Sequence, residues 1–466
     1  MYEKHKIKVS NISNMVLEYY KDKQPFHIYH GSTNSTRILS FKRSQMVDTS
    51  NLDKILSVDV KKMTAICEPN VPMDKLVNKT LKYGLIPPVV MEFPGITIGG
   101  GIQGAAAESG SFKWGCFSQT FNWFEMVLTN GEVLKSSNEN NEDLFYGTAG
   151  SYGSLGIITA AEIKLVPACK YVKLSYIPVD SFNAAKDIIE DCASKNYDYI
   201  DGIMYSQNSG VVMVGTLSDV ITGQKQRFSR SYDPWFYLHA EKICQKDERF
   251  TETIPIIDYL FRYDRGAFWV GKYAFDLFHV SFDPFTRWML NPILHTRKLY
   301  QALQDSGASQ RHLVQDMAVP VVKTVEFMQY IDKTLNIYPL WLCPMKPDTK
   351  STLQPNCIDT SLAMNVGIWG TEIESYEEFV NLNRSLEKVL KQLGGKKCFY
   401  AQSFYTEKEF WDIYDKPKYH ELRLKYHAES LPSVFEKTKV KKVYSVNIRR
   451  GLFRTIFGKA KLRIKD

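Results

Sequence analysis

Nothing in this chain supports a disulfide scaffold, a membrane span or a secretory leader. Its eight cysteines stand far apart, at positions 67, 116, 169, 192, 244, 343, 357 and 398, with no CxxC pair, so they read as reduced, mostly buried thiols in a reducing compartment. No run of eighteen apolar residues occurs, which leaves peripheral contact as the form any membrane association takes. The opening MYEKHKIKVSNISNMVLEYY mixes charged and apolar residues throughout and has no signal-peptide core. The expected location is the cytoplasmic side, at the surface of an internal membrane if lipid is contacted. Missing too are a GxxxxGK[ST] loop, a GxSxG elbow and an HExxH pair, which removes the commonest NTPase, hydrolase and zinc-protease readings. No metal-ligand spacing is present, so no metal is expected. A net charge of +8 is modest and comes with no zinc-knuckle, helix-turn-helix or RNA-recognition signature, so nucleic acid is not an expected partner. Oligomeric state is left open.

What is there is a chain of 466 residues, 44% apolar and 24% charged, with a high aromatic share of 13%. That length suits two to three domains with a large core. Its centre of organisation is 93–115, FPGITIGGGIQGAAAESGSFKWG. Glycine lets a ligand reach main-chain N–H groups but costs conformational entropy, so a run of it needs a reason. The apolar Ile96, Ile98 and Ile102 argue against a solvated linker.

In chain order, a helix is predicted over 7–24, then a strand from Phe26 that breaks into Gly31-Ser-Thr-Asn-Ser35, a second candidate anion cradle. Short strands follow at 46–48, 51–53, 55–58 and 63–68, and a helix runs from Val71 until Gly84 stops it. Beyond the glycine run, Asn130-Gly131 predicts a hairpin with a type I′ turn. Glycine then recurs every third residue from Gly147 to Gly156, a spacing that aligns small residues on one helical face, ahead of an alternating strand over 161–166. After about residue 170 the pattern changes to β-α-β-β units, with a clear amphipathic helix over 376–393 and a strand over 398–402. Sixteen aromatics crowd into 232–288. A hydrophobic core, an apolar substrate pocket and contact at the headgroup level of a bilayer all account for them. The tail 437–466 carries eleven Lys or Arg against one acidic residue, which reads either as an amphipathic segment drawn to anionic lipid or as a solvated tail.

Gly99-Gly-Gly101-Ile-Gln-Gly104 satisfies GxGxxG, but only Ile96 to Ile98 remain for the strand that a Rossmann site needs before it. Three separate small-residue loops, at 31–36, 95–115 and 147–156, remain to be explained together. In order and spacing they resemble the FAD-binding (PCMH-type) domain of the vanillyl-alcohol-oxidase superfamily, on Gly31-Ser-Thr-Asn-Ser35, Pro94-Gly-Ile-Thr-Ile-Gly-Gly100, Leu144-Phe145 and Gly153-Ser-Leu-Gly-Ile-Ile-Thr159. Within that superfamily the chain is similar to the Δ24-sterol reductase family. The shared pieces are Glu108-Ser109, Lys113-Trp-Gly115, Asp143-Leu-Phe-Tyr146, Ala161-Glu-Ile163, Tyr171-Val-Lys-Leu174, Val314-Gln-Asp-Met317 with Pro320, Tyr338-Pro-Leu-Trp-Leu-Cys-Pro344, Glu409-Phe-Trp411, Tyr419-His420 and Leu422-Arg423. The N-terminal anchor of the animal and plant members has no counterpart here, nor does the tail after about residue 436 have one in the family.

This resemblance implies an α+β fold: a PCMH-type FAD-binding domain of two subdomains over 1–170, a substrate domain over 171–395, a segment over 396–436 returning to the flavin, and the basic tail. It implies FAD held at Gly31, Ser32, Thr33, Asn34, Ser35, Pro94, Gly95, Thr97, Ile98, Gly99, Gly100, Gly101, Ile102, Gly104, Glu108, Ser109, Gly115, Gly153, Gly156, Ile157 and Ile158. Members with a flavin-linked histidine carry it where Ser32 to Ser35 stand, so the cofactor is expected to be noncovalent. NADPH is the implied electron donor, a sterol the implied substrate, and the implied reaction is hydride transfer to one carbon of a side-chain double bond with protonation of the other. Tyr405 and Tyr419 are the first candidates for the proton donor, followed by Tyr400 and His420; Tyr400 also reads as core and His420 as solvent-facing. The alternatives are a flavin oxidase or dehydrogenase acting on a sugar, lactone or lipid-linked alcohol, and an inactive flavin-retaining protein of the membrane surface.

Overall fold

The computed structural model describes residues 1–277, 279–373 and 375–440, together with 443, 446, 447, 451, 453–455 and 462–465. Much of the basic tail, and Phe278 of the aromatic stretch, therefore lie outside the described residues.

The architecture is α+β and rests on two sheets, antiparallel throughout except for one short parallel edge strand of the larger. The first has the order Ile55–Asp59, Thr64–Cys67, Ile157–Lys164, Phe121–Val127, Val133–Ser137. Its central strand is buried at every position but Glu162 and Lys164, as a strand covered on both faces must be. The helix Tyr2–Lys21 closes this region by burying Val9, Ile12 and Val16 at near-helical spacing against Phe26, Val47, Val127 and Ile157. His27–Tyr29 pairs in parallel with Met46–Asp48 and delivers the chain to the first loop.

The second sheet has nine strands. From one edge these are Gln224–Lys225, Phe250–Pro255, Tyr171–Val179, Ser209–Ser218, Tyr199–Ser206, Leu340–Met345, Ala363–Glu372, His312–Pro320 and Lys396–Lys397. Alternation decides what each of its faces carries. Leu340 and Leu342, Met364, Val366 and Ile368, and Leu313, Met317 and Val319 point to one side, where the helices Phe182–Ala193, Thr324–Leu335 and Tyr376–Gln392 cover them. Their neighbours Asp201, Trp341, Asn365, Trp369 and Asp316 therefore fall on the opposite side, toward the glycine-rich loops. Gly367 is needed beneath this face, since a Cβ there would lie 2.7 Å from the Trp369 ring.

The aromatic stretch is largely core. Trp235, Phe236, Tyr237, Tyr259, Tyr263, Phe268, Trp269 and Phe275 are buried in one cluster, linked by ring pairs such as Tyr263 to Phe268 at 3.8 Å. Phe285, Trp288 and Met289, on the helix Pro284–Leu290, remain exposed.

Local chemistry overrode several sequence expectations. Residues 51–53 form no strand. In the 128–132 connection only Gly131 takes a positive φ (83°), so the turn is not type I′, which requires two such residues. The 147–156 repeat is no helical face: Glu142–Thr148 ends the helix, and Gly150, Gly153 and Gly156 at φ 76°, 71° and 154° bend the loop three times. Residues 398–402 form turns, the strand being Lys396–Lys397.

Candidate active site

The three loops meet around one cavity of about 670 Å³. Side-chain amides tie them together. Gln304, from the helix Thr296–Ser306, donates its Nε2 to the carbonyls of Ser35 (2.6 Å) and Arg37 (2.8 Å), which holds the first loop. Gln103 accepts at Oε1 from Ser151 Oγ and Gly153 N, both at 2.7 Å, which joins the glycine run to the third loop. Thr97 Oγ1 caps the short helix Ile98–Gln103 by accepting from Gly100 N. No strand precedes that helix, so the GxGxxG match does not stand in a Rossmann setting.

Of the residues expected at the cofactor, Ser32, Thr33, Asn34, Ser35, Gly95, Thr97, Gly99, Gly100, Gly104, Gly153, Gly156, Ile157 and Ile158 line this cavity. The others stand behind it. Gly31 turns the first loop at φ 85°. The Pro94 carbonyl accepts from Arg297 Nη2 at 3.0 Å. Ile98, Gly101 and Ile102 face the core, and a Cβ on Gly101 would meet Phe117 and Met91 at 2.6 and 2.7 Å. Gly100 differs: its added Cβ would meet only Thr97 Oγ1, at 3.1 Å. Gly115 takes φ 78° after the helix Ser111–Trp114. Glu108 and Ser109 belong to a buried ionic cluster in which Arg262 Nη2 donates to Glu108 Oε1 (2.9 Å) and Asp201 Oδ2 (3.0 Å).

Among the four proton-donor candidates only Tyr400 reaches the cavity wall. Its carbonyl accepts from Thr36 N and Ser35 Oγ, at 3.1 and 2.7 Å, so the returning segment is pinned to the first loop. Tyr405 is buried beside Lys397, whose Nζ lies 5.7 Å from its ring. Tyr419 donates to Ser154 Oγ (2.7 Å) and accepts from Val434 N (2.8 Å). His420 is exposed on the helix Lys416–Lys425.

The cavity has two chemically distinct ends. At the loop end stand basic side chains that include His30, Arg37 and Lys437. Burial and the Lys437 ammonium push the His30 imidazole down to about 4, so it is neutral at physiological pH. Among the described residues His30 Nδ1 and Arg37 Nε are buried without a hydrogen-bond partner, an arrangement that leaves polar atoms for a ligand group. At the other end, Phe93, Phe268, Tyr300, Trp341 and Trp369 form an aromatic wall, with Phe268 4.3 Å and Trp341 5.6 Å from Trp369. Set into it is Asp316, 7% exposed, whose carboxylate accepts from Tyr400 Oη (2.5 Å), Asn365 Nδ2 (2.6 Å) and Trp369 Nε1 (3.3 Å). Burial raises its pKa to about 7 despite those three donors. Glu92, also on the wall, is held well above the ordinary carboxylate range by burial and by Glu108.

The residues that sequence reasoning missed are His30, Arg37, Gln304, Glu92 and Asp316. A signal existed for Asp316: in HLVQDMAVP it is the one acidic residue of an otherwise mostly apolar strand. For the others the chain carries no local mark.

Glycine loops facing open space, basic side chains beside them and an aromatic end define a flavin-dinucleotide site, and residues 8–137 match the family described as FAD binding domain. Over most of its length the chain is also similar to Δ24-sterol reductases. It is 32% identical to that of Homo sapiens over 415 residues, covering 87% of this chain and 80% of the other. It is 31% identical to that of Arabidopsis thaliana over 447 residues, covering 86% and 78%. A shorter match, 33% over 140 residues and 29% of this chain, joins it to cytokinin dehydrogenase 9 of Oryza sativa subsp. japonica, of which it covers 27%. The chain belongs to the Δ24-sterol reductase family and is an FAD-dependent oxidoreductase.

Proposed function

We propose that the protein reduces the side-chain Δ24 double bond of a sterol, with NADPH as electron donor and FAD held noncovalently. The observation that supports this most is the single cavity whose loop end suits a dinucleotide and whose aromatic end suits an apolar hydrocarbon. Bound FAD supplies the hydride chemistry. The chain binds, orients and protonates. In this reading the lining residues of the three loops approach the flavin and its diphosphate with main-chain N–H groups and hydroxyls, Arg37 and Lys437 offset the diphosphate charge, and the neutral His30 adds a hydrogen-bonding ring nitrogen. Phe268, Trp341 and Trp369 grip the sterol side chain and keep water from the double bond. Tyr400, the one candidate on the cavity wall, donates the proton. Residues 1–170 then serve as the flavin part, 171–395 as the substrate part and 396–436 as the returning segment.

Delivery of a sterol calls for contact with lipid. Exposed Phe285, Trp288 and Met289 beside Arg287 are suited to a headgroup layer, so peripheral association is part of the same reading. Among the described residues no helix is long and apolar enough to cross a membrane.

The test is anaerobic. The purified protein is expected to show a flavin spectrum, to be bleached by NADPH, and to recover its colour on adding a Δ24-unsaturated sterol. Recovery with oxygen or a sugar acceptor alone overturns the reductase reading in favour of an oxidase or dehydrogenase of the same fold, and absence of flavin overturns both.

A further inference from the structure

We propose that Asp316 stores the proton that Tyr400 delivers to the substrate, so that the two side chains act as one proton-donating unit. This rests on the reading of the cavity as a site of double-bond reduction. Saturating a double bond forms two C–H bonds, one from a hydride and one from a proton. A phenol is a poor sole source of that proton here, because burial and the neighbouring Asp316 carboxyl hold the Tyr400 hydroxyl well above its ordinary pKa. A phenolate left in this place would be uncompensated and must be refilled at once. The only hydrogen bond that the Tyr400 hydroxyl makes among the described residues is to Asp316 Oδ2, at 2.5 Å, and a protonated Asp316 can return a proton along that line.

In atoms, the Tyr400 O–H bond breaks and its proton bonds to the alkene carbon that does not receive the hydride. The Asp316 carboxyl proton moves to the Tyr400 oxygen as that bond breaks, and the carboxylate takes a proton from solvent before the next cycle. One hydride and one proton are consumed, and both residues return to their starting states.

The surroundings favour a neutral, proton-holding Asp316. All three of its hydrogen-bond partners, Tyr400, Asn365 and Trp369, are uncharged. The titratable groups that face it are Cys398 on the returning segment, Tyr300 from the helix Thr296–Ser306, Glu92 ahead of the glycine run and Cys343 from the strand Leu340–Met345. His312 stands on the same strand and lines the same cavity. No member of the first set brings a cation to Asp316, and burial alone raises its pKa. A proton half-bound near neutral pH is the condition under which a general acid works best.

The test has two parts. In difference infrared spectra of the flavin-loaded protein without sterol, a protonated-carboxyl band should fade as pH rises through about 7 and be missing in Asp316→Asn. No such band in the wild type, or one unchanged in the variant, overturns the proposal. In stopped-flow mixing of the NADPH-reduced protein with a Δ24-unsaturated sterol, wild-type reoxidation should slow as pH rises through the same range. Asp316→Asn should be slower by on the order of 100-fold and flat with pH, and Asp316→Glu should regain part of the rate. Asp316→Asn combined with Tyr400→Phe should be no slower than Tyr400→Phe alone, as members of one unit are non-additive. A variant that keeps the wild-type pH profile, or additive losses, would show that Asp316 merely holds Tyr400 in place and sink the proposal. If the wild type is not reoxidised by sterol at all, the reductase reading fails, while the infrared titration still decides whether Asp316 holds the proton.

Discussion

Asp201 and Asp316 lie on the same face of the nine-stranded sheet, and each carboxyl is met by three donors. Asp201 Oδ2 accepts from Tyr263 Oη (2.8 Å), Trp341 Nε1 (3.2 Å) and Arg262 Nη2 (3.0 Å). Asp316 accepts from a tyrosine, a tryptophan and Asn365 Nδ2. The sets differ in one member, a guanidinium against a carboxamide. In the first cluster Arg262 bridges Asp201 and Glu108, which hold its guanidinium pKa well above the ordinary value against the opposing effect of burial. Without a cation the second carboxyl rises to about 7. Similar burial thus gives a strut off the cavity in one case and a titrating group on its wall in the other.

That difference can be broken from either side. Arg262→Met leaves Glu108 and Asp201 buried and uncompensated, and should cost about 3–5 kcal/mol of stability in urea unfolding. At Asp316 the folded-state pKa lies above the ordinary 3.8, so the native protein keeps a proton that the unfolded chain has released. Stability therefore falls as pH rises from about 4 to about 7, by up to about 4 kcal/mol for a shift of roughly three units. Unfolding measured across that range should show the slope in the wild type and lose it in Asp316→Asn.

A matched pair sharpens the comparison further. Trp369→Phe removes a neutral donor worth about 1 kcal/mol and should raise the Asp316 midpoint by up to about one unit. Trp341→Phe should lower stability by a similar amount and leave that midpoint where it was. A contrast outside the cavity is the helix Tyr2–Lys21, where His5 sits between Glu68 (2.9 Å) and Glu125 (3.0 Å). Burial acts to lower its pKa, but the two carboxylates win and raise it to about 9. Its contribution is complete below about 6.5 and is lost as pH rises to about 9. His5→Gln should flatten thermal stability over that window only.

Much of the loop end was legible because its requirement is local. A glycine that leaves the main chain open, or a threonine that caps a helix, acts within a few residues of itself, so runs such as Gly99-Gly-Gly101 announce themselves. Even there, which glycine faces the cavity was not readable. Gly100 looks onto open space and Gly101 onto Phe117 and Met91, and only the course of the helix Ile98–Gln103 separates them. The glycine period at 147–156 misled for a related reason: spacing of three fits a helical face, but three left-handed turns satisfy it as well.

By itself the sequence determined most of the element types, the alternation that puts Asp316 and Trp369 opposite the helix-covered face, and the small-residue loops of an FAD-binding protein. Only the tertiary structure decided which buried acid meets a cation. Arg262 comes to Asp201 across 61 positions and Tyr400 comes to Asp316 across 84. Periodicity fixes the direction in which a side chain leaves its strand, but the partner it finds there is set by how distant segments pack, and that partner determines whether the carboxyl holds its charge.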